Sequence, residues 1–200
     1  MNAQIPAGVE YGEPVTLPTG VPHLVCELSG MPCLLPLAQL RGVVRELSAL
    51  TRFPFAPTWL LGVFPYRTEV LALVDPAPLV FGREASVAAS AHGPISDTRI
   101  VTAATQPMAT LDGPCAAIVG GGDRSLALRL DRAHAVVFVP EAAVSAPTTD
   151  RPEEAAATGV VGRYLAGVWK PEPAAAPHAI LAIERVLADL LERLEEDADG

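Results

Sequence analysis

From Val21 onward the apolar residues arrive in runs of four to eight, rich in valine and leucine, each closed by glycine or proline. Runs of that length are too short for most helices and suit strands. With 20 prolines and 16 glycines in 200 residues, the chain has turn residues enough to break the backbone repeatedly. The pattern predicts an all-β domain of the small-barrel or sandwich kind. The expected strands are 22–28, 32–36, 41–46, 59–64, 69–74, 115–119, 125–131, 134–139, 160–168 and 178–183.

Two pairs of runs read as hairpins. In "HLVCELSGMPCLLPL" the connection is Ser29, Gly30 and Met31, a short glycine-containing turn. In "CAAIVGGGDRSLALRL" the tip is Gly120, Gly121, Gly122 and Asp123. A phosphate cradle would need a strand leading into a helix N-terminus, whereas "SLALRLDRAHAVVFVP" reads as more strand, so the glycines are expected to form a turn.

Outside these runs the chain is looser. Residues 1–20 carry Pro6, Pro14 and Pro18 with Gly8, Gly12 and Gly20, and are expected to form a flexible N-terminal tail. Residues 83–113 read as a long connection with one short strand near 99–103, and 145–157 as a second linker. Only the end is helical in pattern: Ile183, Val186, Leu187, Leu190, Leu191 and Leu194 make one stripe, predicting a C-terminal helix over 183–195. That stripe suits either the core of its own domain or a partner helix.

Half the residues are apolar, so a sizeable core is within reach. The formal net charge is −9 and Lys170 is the only lysine, which argues against a nucleic-acid partner, because phosphate affinity comes from Lys and Arg. No apolar run reaches the 18 residues a membrane-spanning helix needs, and "MNAQIPAGVEYGEPV" lacks a signal-like pattern. A cytoplasmic protein without direct membrane insertion is expected. Cys26, Cys33 and Cys115 sit in apolar contexts and read as reduced, buried small hydrophobes.

Chemistry is sparse. His23, His92, His134 and His178 are scattered, no CxxC or HExxH spacing occurs, and no G-x-S-x-G elbow is present. Carboxylates such as Glu27, Glu69, Asp75 and Asp131 stand singly. No catalytic residue, metal ligand or cofactor site is expected. A non-enzymatic binding module fits such a chain better than an enzyme.

One region is distinctive. "CLLPLAQLRGVVREL", "LTRFPFAPTWLLGVFPYRTEVLALVDPAPLVFG" and "LALRLDRAHAVVFVPE" together resemble successive blocks of the CheW-like family, the coupling proteins of bacterial chemosensory arrays. Pro36, Leu40 and Val43 match one family block; Pro54, Pro57, Gly62, Arg67, Val74, Asp75 and Gly82 match the next. Leu130 and Asp131 stand at a later "VD", either Gly162 or Gly167 at a "Gi" glycine, and Ile183 to Leu190 at the family's closing "LDl..ll". The resemblance spans about residues 21–194, and the domain is taken as 21–195.

It implies two SH3-like five-stranded β-barrel lobes sharing a core, with no active site. One edge would bind the regulatory domain of a CheA-type histidine kinase, and a groove between the lobes would take the cytoplasmic tip of a chemoreceptor. Carried onto this chain, the partner-binding candidates are Arg67, Leu40, Val43, Gly62 and Tyr66. Three departures from the family pattern mark a divergent member: Thr68 replaces the glycine after the arginine, Gly42 stands where a glutamate usually falls, and Pro76 follows Asp75.

For Arg67 two roles stand side by side, a partner contact or an internal pair with Asp75 or Glu69. Asp75 is expected to cap backbone N–H groups where Pro76 ends its strand. Trp59 and Phe64 suit either the core or an interface, the core being favoured. The competing functions are an adaptor in a pilus-driven or other chemosensory-type pathway, and a small enzyme or ligand-binding barrel with a site near Asp131, His134 and a cysteine.

Overall fold

The computed structural model describes residues 19–45, 47, 49–82, 100–101, 113–121, 124–146, 156–172 and 175–198. Within these residues twelve strands form two sheets. In chain order they are β1 (Val21–Leu28), β2 (Met31–Pro36), β3 (Leu40–Val44), β4 (Leu60–Tyr66), β5 (Glu69–Val74) and β6 (Ile100–Val101). There follow β7 (Cys115–Gly121), β8 (Arg124–Leu130), β9 (Arg132–Val139), β10 (Val144–Ser145), β11 (Leu165–Trp169) and β12 (His178–Leu181). A short helix α1 (Ala77–Phe81) follows β5, and the long helix α2 (Ile183–Ala198) follows β12.

One lobe has strand order β10-β11-β12-β2-β1-β9, the other β4-β5-β8-β7-β3-β6. Each sheet holds five strands of four residues or more plus one of two residues, β10 or β6. The five-stranded expectation is therefore met by the long strands, each sheet gaining one short addition. The chain crosses between the lobes twice: β1 and β2 belong to the first lobe, β3 to β8 to the second, and β9 to β12 return to the first.

The lobes repeat one design. Each joins two hairpins through one parallel pair, β12 on β2 at Ala179↔Cys33 and β5 on β8 at Leu73↔Ala127. In each, a short segment bridges back onto the next strand. In the first lobe β9 passes through a 3-10 turn at Glu141–Ala143 into β10, which pairs with β11. In the second, the chain leaving β3 bridges to β4, with Thr51 and Val63 exchanging backbone bonds of 2.7 and 2.8 Å.

Both bridges press on a glycine beside a register shift. A Cβ on Gly62, whose φ is 142°, would be driven into the Thr51 carbonyl, and one on Gly167 would lie 2.5 Å from Val144 Cγ1. Gly167, not Gly162, is thus the counterpart of Gly62; Gly162 opens a 3-10 turn. That turn, Gly162–Tyr164, also shortens the strand expected at 160–168, because the Val161 N–H bonds to the Val80 carbonyl at 2.7 Å instead of to a sheet neighbour.

The hairpin after β1 turns through Ser29 and Gly30, at φ 49° and 73°, the two positive values of a type I′ turn. The Asp131 carboxylate accepts the Gly30 N–H at 3.0 Å, fixing this turn to the start of β9. β7 and β8 pair as far as Gly121↔Arg124, in the manner of a hairpin, while Gly122 and Asp123 lie outside the described residues. So do residues 1–18 of the expected tail, most of 83–113, and 147–155 of the second linker.

The largest core cluster is shared by the lobes. It joins Leu24, Cys26 and Leu181 of the first sheet to Val74, Ala117 and Leu128 of the second, and to Ile183, Val186 and Leu190 of α2. The helix stripe therefore faces its own domain's core, with Leu187, Leu191 and Leu194 packed against it. Tyr164 donates to Asp189 of α2 at 2.6 Å, and Arg163 pairs with the same carboxylate at 3.0 Å, holding the helix at that angle. Each lobe keeps a smaller core of its own: Phe64, Tyr66, Leu71, Leu73 and Ile118 in the second, Leu34, Val139 and Ile180 in the first.

Cys26, Cys33 and Cys115 are free thiols in the shared core. Burial pushes Cys33 and Cys115 up to about 12 and Cys26 well above the ordinary thiol range. A thiol reagent at pH 8 is accordingly expected to label none of the three in folded protein and all three after denaturation. The same shift predicts stability falling as the pH rises above the ordinary thiol value toward 12, since the unfolded chain then holds fewer protons than the folded one.

Candidate functional site

The resemblance points to the hairpin of β4 and β5. Its closing pair is Tyr66↔Glu69, leaving Arg67 and Thr68 as a two-residue tip. A two-residue hairpin turn needs positive φ at its first central position, and here Arg67 itself takes it, at 56°. The tight turn survives the missing glycine because the arginine accepts the left-handed conformation. That conformation projects an exposed guanidinium, whose Cζ lies 5.2 Å from the centre of the Tyr66 ring.

The rest of the hairpin is braced. Tyr66 is buried in the second lobe's own core, and a Cβ on Gly42 would lie 3.0 Å from its hydroxyl. The missing side chain at 42 is thus the space the tyrosine tip occupies. Beside them, Arg41 forks onto Glu69 at 2.9 and 3.0 Å and donates to Ser125 Oγ at 2.6 Å, tying β3, β5 and β8 together. The hydrogen bond from Arg41 is the main reason the Glu69 carboxyl is held below its ordinary range.

Glu69 is engaged by Arg41. Asp75 accepts the Ala77 N–H at 3.0 Å, the backbone cap expected of it, and its other oxygen lies 3.6 Å from Arg129. Among the described residues Arg67 forms no salt bridge with Asp75 or Glu69, though its charge adds to that of Arg41 in holding the Glu69 carboxyl down, and its side chain is exposed.

The remaining candidates lie deeper. Leu40 and Val43 sit on β3 just after a 3-10 turn at Leu37–Gln39; Leu40 is half-buried against the shared core, and Val43 is buried opposite Ala117 and Val101. Gly62 lies under Thr51. Trp59 and Phe64 are buried, as favoured. Arg67 is therefore the exposed member of the five, with Tyr66, Gly62, Leu40 and Val43 shaping what lies beneath and beside it.

The residues that could have carried an enzymatic site are occupied elsewhere. His134 Nε2 donates to Glu27 at 3.0 Å, Asp131 holds Gly30, and the cysteines are buried. His23 and His178 donate to the carbonyls of Val21 and Ala176, and His92 lies outside the described residues. Among the described residues no group of three His, Cys, Asp or Glu side chains is placed to hold a metal, and no helix is long and apolar enough to cross a membrane.

Sequence reasoning passed over Arg41 and Phe55. Arg41 is recognisable only once β3 and β5 are known to be close. Phe55 had a signal, an aromatic between two prolines in "FPFAP", and the structure leaves it fully exposed at φ 68°.

Two β-lobes with a common core, closed by a C-terminal helix, define a two-lobed β-fold. Residues 22–170 match the family model for the CheW-like domain, and the chain belongs to that family. Its fold is similar to that of the scaffolding protein TtCheW from Thermoanaerobacter tengcongensis, with TM-score 0.54 and 16% identity over 82% of this chain and 89% of that one. No curated protein matches the chain.

Proposed function

We propose that this protein is a non-enzymatic adaptor of a chemosensory assembly in the cytoplasm, joining the cytoplasmic tip of a chemoreceptor to the regulatory domain of a CheA-type histidine kinase. The observation that carries the reading is Arg67: an exposed guanidinium that forms no salt bridge among the described residues, held on a hairpin clamped by Arg41 and Glu69, in a chain of the CheW-like family. A guanidinium so placed can fork onto a carboxylate or the carbonyls at a helix end, and arginine is enriched at binding hot spots. Tyr66, Gly62, Leu40 and Val43 support the hairpin and the strand beside it.

The test is co-elution of the purified protein with the kinase regulatory domain and with a receptor-tip fragment from the same organism. Arg67→Ala is expected to weaken partner binding by about 1–3 kcal/mol and to leave the fold intact. Unchanged affinity for both partners removes Arg67 from the interface. The loss of the family's glycine at Thr68 and of its glutamate at Gly42 favours a second reading, an adaptor in a pilus-driven or other chemosensory-type pathway. Binding only to partners from such a pathway distinguishes it.

A further inference from the structure

Thr51, Arg52, Phe53, Pro54 and Phe55 are five consecutive exposed residues, and two of them are phenylalanines. Phe55 is wholly outside the protein and Phe53 is 48% exposed. Phe55 also holds φ at 68°. Of the three non-glycine residues at positive φ among the described residues, Ser29 and Arg67 sit in two-residue hairpin turns that require it. Phe55 takes it as the third residue of a turn closed by the Ala56 N–H on the Phe53 carbonyl at 3.4 Å, with Pro54 before it, a place that glycine or asparagine ordinarily fills. An aromatic in the left-handed region is strained, and an exposed ring gains nothing from burial to offset that strain.

The loop is nevertheless fixed. Thr51 is bridged to Val63 at one end, the Leu60 N–H bonds to Pro57 at 3.0 Å at the other, and Pro54 and Pro57 restrict the backbone between. A ring held out on a fixed loop is prepared for insertion, because little freedom remains to be lost on binding.

The surroundings say what kind of surface would receive it. The free edge of β4 is closed to strand addition: Val63 already bonds to Thr51, and Pro65, two residues on and facing the same way, has no N–H. Contact here must run through side chains. Arg52 is exposed and has no ion pair among the described residues, on a chain of net charge −9, so the receiving surface suits carboxylates around an apolar centre. A ring needs a concavity. A folded domain offers one more readily than the convex surface of a helical rod.

We propose that Phe55 is the anchor by which this lobe docks onto the kinase regulatory domain, entering an apolar pocket there while Phe53 covers its flank and Arg52 meets carboxylates at the rim. The proposal rests on the adaptor reading above. Its test is calorimetric titration of the regulatory domain of a CheA-type kinase from the same organism into wild type, Phe55→Asn, Phe55→Trp and Arg67→Ala, with a thermal melt of each.

Asparagine tolerates positive φ, so Phe55→Asn is expected to melt higher than wild type yet bind on the order of tenfold more weakly, with Phe55→Trp close to wild type. A more stable protein with weaker binding is an outcome that loop damage does not produce. Wild-type affinity in Phe55→Asn overturns the anchor while leaving the adaptor function standing. Loss confined to binding of a receptor-tip fragment likewise overturns it. Failure of the wild-type protein to bind the kinase domain overturns both readings together.

Discussion

Gly62→Ala is expected to destabilise the protein by about 3 kcal/mol or more, with a lower urea midpoint and a little-changed slope. Two separate penalties combine. The backbone holds φ at 142°, which an L side chain rarely adopts, and the new methyl is driven into the Thr51 carbonyl with the Leu50 side chain behind it. Those atoms cannot withdraw without breaking the two Thr51–Val63 bonds that close the second lobe. Gly30→Ala is the control, because Gly30 has φ of 73° but open space around it, and its cost is expected near 1 kcal/mol. Gly167→Ala falls between: its φ is ordinary and its nearest obstacle is a valine methyl. Equal losses at 30 and 62 would show that conformation alone matters at 62 and that the bridge is loose.

Leu190→Ala carries the second large effect, a loss of about 2–5 kcal/mol. Leu190 is fully buried in the shared core, between helix α2 and both sheets, where the surroundings are held by strands and cannot collapse into the space left behind. Glu192→Ala, on the exposed face, is expected to change stability by less than about 0.5 kcal/mol. Because the largest core draws on both lobes, the Leu190→Ala protein is expected to unfold in one transition at a lower temperature. A separate early transition would assign α2 to one lobe only, and a loss below about 1 kcal/mol would mean that the helix is not seated in solution.

Much of this was legible in the sequence because the strands repeat a simple signal, a valine- and leucine-rich run with a proline or glycine at its end. The C-terminal stripe was equally plain, four turns being enough for a period to show. Helix α1 was missed for the opposite reason: five residues, Ala77–Phe81, carry no period, and Pro76 in front of them read only as a strand stop. The parallel pairs β5–β8 and β12–β2 join segments about 50 and 145 residues apart, and no local pattern encodes such pairings.

The site followed the same division. Arg67 could be picked out from its block of matching residues, but whether it was free depended on Arg41, 26 residues earlier, reaching Glu69 first. That Gly42 leaves room for the Tyr66 hydroxyl emerged only when the strands were placed side by side. Phe55 stands at a family position that any residue can fill, so matching against the pattern gave it no weight, and its exposure emerged only with the backbone.

The shared core has a mechanical consequence. Cys26, Leu28 and Leu181 of one sheet interlock with Leu128, Ala117 and Val119 of the other, and Ile183 and Leu190 fill the remaining space. Packed interiors have low compressibility and transmit strain. Any turning of one described lobe against the other would have to repack this shared interior, so the core opposes it.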